Sequence, residues 1–154
     1  MLAPAHAQAQ IGDMLVWAVP PQLCDAVLPH VRHFLINGYH RSGNIYNEPI
    51  MLDELQHERM CLWVAYRKGT TAFSAAMVTR LYLLDAGRGK VCHVIALGGE
   101  DMHDWIKYID LIEGYARAEG CDTVRLEGRE GWSRMLPSFV RVGVILEHRI
   151  ANDG

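Results

Sequence analysis

The residues of this chain that could do chemistry gather between Val91 and Trp132. Val91-Cys92-His93-Val94-Ile95-Ala96-Leu97 is a short, apolar, β-branched run that predicts a strand, and His93 is its one imidazole. With an ordinary pKa near neutrality, His93 could deprotonate an incoming amine. Its plainer role is a hydrogen bond on one side of a half-buried strand. Gly98-Gly99 then predicts a turn, Glu100-Asp101 follows, and Met102 to Glu119 carries helical periodicity. Asp101 is placed as N-cap, with Asp104 three positions on. A strand, a glycine turn and a helix start make a place to hold a phosphate, because free N–H groups and the helix dipole point at it. Here the turn holds two carboxylates and no Lys or Arg. The geometry favours a nucleotide-like cofactor and the charge opposes one.

The second stretch with chemistry is Gly128-Arg129-Glu130-Gly131-Trp132. It follows a predicted strand, where ligands sit in open α/β sheets. Trp132 could stack on a ligand or anchor a partner, or it could cover the cleft between two strands. Glu127 and Glu130 read as solvated carboxylates. His30, His33, His40 and His57 have no metal-ligand spacing, so no metal site is expected. The four cysteines, Cys24, Cys61, Cys92 and Cys121, form no CxxC pair. They read as reduced, buried hydrophobes, which implies a cytoplasmic setting.

The elements that position these groups fit a single domain. The chain has 154 residues, half of them hydrophobic and 21% charged, with a formal net charge of −3. That balance favours neither nucleic acid nor an anionic membrane as a partner. No apolar run reaches the ~20 residues that span a bilayer. Residues 1–12 are expected to be a flexible tail and residues 13–151 the folded domain.

Met14 to Val19 predicts a first strand, and Leu23, Val27, Val31, Phe34 and Leu35 recur at helical spacing after Pro20-Pro21. Pro29 lies inside that pattern and predicts a kink or two short helices, closed by Asn37-Gly38. A loop over Arg41 to Asn47, a second helix over Ile50 to Arg59, and a hairpin of Cys61–Tyr66 with Thr71–Leu84 follow. Trp105, Ile109, Ile112 and Ala116 form the inward stripe of the central helix. Cys121–Leu126 reads as a strand, Trp132–Leu136 as a short helix, and Val140–Ile150 as a last strand by its alternation.

This order resembles the GNAT (GCN5-related N-acetyltransferase) fold over Met14 to Ile150. The local piece Ile109-Asp110-Leu111-Ile112-Glu113-Gly114-Tyr115-Ala116-Arg117-Ala118-Glu119-Gly120 looks like the family's helix ending in Ala-Arg-x-x-Gly, followed by a strand through Glu127. The resemblance implies an α/β (α+β) domain, a mixed twisted sheet with helices on both faces. It also implies acetyl-CoA as cofactor, held at Ile95, Leu97, Gly98 and Gly99. The family's Arg/Gln-x-x-Gly-x-Gly/Ala loop is shortened here to Gly98-Gly99-Glu100-Asp101 and lacks the basic or amide residue. Phe139 stands where the family often has a Tyr that protonates the leaving thiolate.

Those departures resemble the divergent GNAT-like proteins of phages and prophages. They imply a non-catalytic structural, assembly or binding module in a bacterial cytoplasm or a virion. The alternative is an acetyl-CoA-dependent N-acetyltransferase with an atypical loop, with His93 as the weak catalytic candidate. A third reading is a small-ligand sensor using the same cleft without chemistry. For assembly, a protein partner or self-association is expected, anchored by Tyr39, Arg41, Tyr46 and Trp132.

Overall fold

In a computed structural model, the structure describes residues 8–70, 72–84, 89–100, 106–127 and 132–151. Six strands form one sheet in sequence order: β1 (Gln8–Ile11), β2 (Met14–Val19), β3 (Cys61–Arg67), β4 (Phe73–Leu83), β5 (Lys90–Gly99) and β6 (Thr123–Leu126). Every neighbouring pair is antiparallel except β5 and β6. The parallel pair needs a crossover, supplied by the helix α3 (Ile106–Ala118). The helices α1 (Cys24–Arg41) and α2 (Glu48–Gln56) connect β2 to β3, and α4 (Trp132–Met135) follows β6.

Strand alternation divides the core into two layers. Cys61, Trp63 and Ala65 of β3 face α3 with Tyr108, Ile112, Tyr115 and Ala116. Leu62 and Val64 face α1 and α2 with Val31, Leu35 and Leu55. The sheet is therefore sandwiched between helices, as the mixed-sheet expectation has it. Trp63 is 2% exposed, and its indole N–H donates to the buried Thr79 Oγ1 at 2.9 Å, which satisfies both polar groups.

Several details differ from the sequence expectation. Part of the expected tail, Gln8–Ile11, is a strand paired with β2. Pro29 does not divide α1, which runs unbroken to Arg41. Pro29 and Asp25 both lie on the exposed side, so the carbonyl that loses its intrahelical donor faces water while Val27, Val31 and Phe34 stay seated. Gly98-Gly99 is not a turn: both residues belong to β5, opposite Ala76 and Ala75. A Cβ on Gly98 would overlap the Phe34 carbonyl oxygen, and one on Gly38 would come within 2.8 Å of the Leu97 nitrogen. The glycines are there because α1 lies backbone-to-backbone on β5.

Val140–Ile150 forms no strand, and its apolar side chains are exposed, Val142 by 81% and Leu146 by 90%. An alternating segment needs a ladder partner to become a strand, and none of the described residues pairs with it. Of the α3 stripe, Ile109, Ile112 and Ala116 are buried as expected, joined by Tyr108 and Tyr115. Trp105, Asp101 and Asp104 lie outside the described residues. Gly120, at φ 77°, ends the helix as its position predicts, and Cys121 N–H returns to the Ala116 carbonyl at 2.8 Å.

Candidate functional site

One irregularity of β5 organises the site. The β4–β5 register pairs Val78 with Ala96 and then Thr79 with Val94, so Ile95 is an extra residue, a β-bulge. Before it, Cys92 and Val94 face α3 and His93 faces the α1 side; after it, Ala96 faces α1 and Leu97 faces α3. The bulge shifts the phase and bends the strand. Pairing with β6 stops at the same place, at Val94 and Leu126, although β5 continues to Gly99. Beyond Val94, β5 has a strand partner on its β4 side only, among the described residues. Among the described residues the ladder thus opens beyond Val94, at the carboxyl end of the parallel pair, where open α/β sheets take ligands.

His93 sits beside that opening. Arg80 stands directly opposite it across β4 and β5. Tyr82, two residues on, meets the imidazole edge-on with ring centroids 5.8 Å apart, and Arg125 Nη1 donates to its hydroxyl at 3.0 Å. Glu127 is the first residue past β6, and its Oε1 lies 3.1 Å from His93 Nε2. The two are at ion-pair distance without hydrogen-bond alignment, so the buried Nε2 has no hydrogen-bond partner. The second Glu127 oxygen accepts from Asn44 Nδ2 at 3.1 Å, which ties the loop after α1 to the end of β6. His93, Arg80, Tyr82, Glu127 and Asn44, with Tyr39 and Met60, line an open cleft of about 550 Å³. That volume suits a small molecule. A second hollow beside Cys24 and Cys61 offers about 10 Å³, room for one water.

Burial holds the His93 pKa below its ordinary 6.5; Glu127 opposes that shift, while Arg125 and Arg80 reinforce it. The imidazole is therefore neutral at pH 7, with a ring nitrogen able to take a proton. The cysteines are not competing nucleophiles. All four are free thiols, and burial pushes Cys24 to about 11 and Cys92 to about 12. Among the described residues, no group of three or more His, Cys, Asp or Glu could hold a metal ion, and no helix is long and apolar enough to cross a membrane.

The residues singled out from the sequence fall into two sets. His93 and Ile95 line the cleft, and Gly99 lies at the far end of the open part of β5. Leu97 and Gly98 are buried, Leu97 toward α3 and Gly98 under α1, so only their backbone could meet a cofactor. The anchors expected for a partner are largely engaged within the chain. Tyr39 is 8% exposed and packs edge-on against Tyr46 at 5.6 Å, while the Tyr46 hydroxyl donates to Glu48 at 2.7 Å. Glu48 in turn takes two 2.8 Å bonds from Arg32. Trp132 packs on the α3-side core, and Arg41 is exposed at the end of α1.

Sequence reading did not single out Arg80, Tyr82 or Asn44, and it gave Glu127 only as a solvated carboxylate. The usable signal for Glu127 was its place just past the end of a parallel strand. Arg80 is opposite His93 only through a register that the sequence does not print.

No protein-family model and no curated protein matches the sequence. Solved structures do. An aminoglycoside acetyltransferase from an uncultured soil metagenomic sample, in complex with sisomicin, matches at TM-score 0.69 and 8% identity, over 90% of this chain and 97% of that one. A predicted acetyltransferase with acetyl-CoA from Clostridium acetobutylicum matches at TM-score 0.65 and 11% identity, over 88% and 96%. An acetyltransferase of Trypanosoma brucei matches at TM-score 0.58 and 13% identity, over 91% and 100%. None of these likenesses supports a phage or virion role. With its bulged fifth strand, its sixth strand paired only at the base and its crossover helix, the chain has the GNAT acetyltransferase fold.

Proposed function

We propose that the protein is an acetyl-CoA-dependent N-acetyltransferase. The observation that carries this reading is the juxtaposition of the β5–β6 opening with His93 and Glu127, 3.1 Å apart in a cleft of small-molecule size. The likeness to acetyltransferases supports it in preference to a non-catalytic module. The backbone groups of β5 from Ile95 to Gly99, paired among the described residues on the β4 side alone, suit an extended amide-bearing ligand that adds to a strand edge. Acetyl-CoA is such a ligand and supplies an activated thioester.

The residues of this chain then have separate tasks. The His93 imidazole takes the proton of the acceptor ammonium, and Glu127, 3.1 Å from its Nε2, stabilises the imidazolium that results. The freed amine nitrogen bonds to the carbonyl carbon, the carbon–sulfur bond breaks, and the nitrogen gives its second proton to solvent. Phe139 has no proton for the sulfur, so solvent supplies it. Glu100 weighs against a pyrophosphate, but it is exposed. A fully hydrated pair of charges 4 Å apart repels by only about 1 kcal/mol. That is too little to abolish binding of a ligand with many other contacts.

The test is acetyl-CoA-dependent thiol release with a panel of primary amines. His93→Gln should lower kcat by ~10²–10⁴-fold with acetyl-CoA binding unchanged, as loss of a single general base does. A His93→Gln protein as fast as wild type would exclude His93 as the base.

A further inference from the structure

We propose, resting on the acetyl-transfer reading, that the acceptor is a zwitterion of amino-acid type, whose carboxylate pairs with Arg80 while its amine meets His93 and Glu127. Arg80 and His93 face each other across β4 and β5, so their side chains leave the same face of the sheet with Cβ atoms ~5 Å apart. Arg80 is the cleft cation with donors to spare. Its contact with Glu54 is 3.7 Å, too long for a hydrogen bond, and Glu54 already accepts from Arg59 Nε at 2.9 Å. Arg125, by contrast, is committed to the Tyr82 hydroxyl. The Arg80 side chain is 45% exposed, and its planar fork suits a carboxylate bidentately.

Charge balance in the cleft points the same way. Glu127 offers a carboxylate beside His93, and Arg80 offers a guanidinium held only loosely, at 3.7 Å, by Glu54. An acceptor carrying both signs satisfies both groups at once. A polycationic acceptor such as a polyamine would leave Arg80 facing like charge. The volume of about 550 Å³ also fits a single amino acid together with the reacting end of the donor.

The experiment measures acetyl-CoA-dependent thiol release with matched acceptors: phenylalanine, phenylalaninamide and phenethylamine, and the corresponding lysine and methionine sets. The carboxylate-bearing member of a set should be favoured at least tenfold in kcat/KM. Arg80→Gln should raise KM for that member by about 10–100-fold, the worth of a charge-assisted bidentate contact, and raise KM for the matched amide far less. Arg80→Lys should recover part of the loss. Amides or simple amines turned over as fast as the acids would overturn the inference and leave the acetyl-transfer reading intact. So would an Arg80→Gln effect equal on all three members. Transfer to no acceptor of any set would overturn both.

Discussion

At Gly98 and Gly38 the backbones of β5 and α1 touch without intervening side chains, and a methyl at Gly98 has no direction in which to move. Gly98→Ala should therefore destabilise the protein by about 1–3 kcal/mol, as overpacking does. Gly114 in α3 is the opposite case: a Cβ there meets nothing within 4 Å, and the residue is exposed. Gly114→Ala should stabilise by about 0.5–1 kcal/mol, because a mid-helix glycine loses more entropy than alanine on folding. Denaturant unfolding of the two variants checks both signs, and an unaltered midpoint for Gly98→Ala would contradict the close approach.

His93 gives a prediction in pH. The base must be neutral to accept a proton, and burial lowers its pKa from 6.5. The acid limb of the activity profile should thus have its midpoint below 6.5. A kcat/KM profile with its acid limb above 6.5 would show a solvated or acid-stabilised histidine instead. The same depression makes folding less favourable at low pH. The unfolded chain binds the proton from about 6.5 downward and the folded chain later, so this contribution is present above 6.5 and is lost below it.

At the scale of elements, periodicity and side-chain type carried most of the fold. The helical spacing of Ile109, Ile112 and Ala116 named the face of α3 that is buried, and the hairpin of β3 and β4 followed from its Arg67-Lys68-Gly69 turn. What the sequence could not show was set by contacts between elements. The glycine pair read as a turn because composition does not reveal a helix lying over a strand. The bulge at Ile95 leaves no mark in residue type, yet it decides which way His93 points and where β6 lets go. Glu127 and Arg80 join the site only through that geometry.

Val140–Ile150 has the alternation of a strand but pairs with no strand among the described residues. Because Val142 and Leu146 are exposed, Val142→Lys with Leu146→Lys should change stability by no more than about 0.5 kcal/mol. A large loss of stability in the double variant, read by thermal unfolding, would mean that this segment is buried in solution.

At the scale of the molecule, the sheet opens on one side of β5 while α1 and α3 hold that strand from its two faces, and the cleft with His93 lies at the edge of the opening. The central claim is that this opening takes acetyl-CoA. Calorimetric titration of the purified protein with acetyl-CoA tests it most directly. The account predicts saturable binding of one molecule per chain, with a Kd between about 1 μM and 1 mM, the range in which enzymes hold their substrates. A titration that shows no saturable heat up to millimolar acetyl-CoA would contradict it.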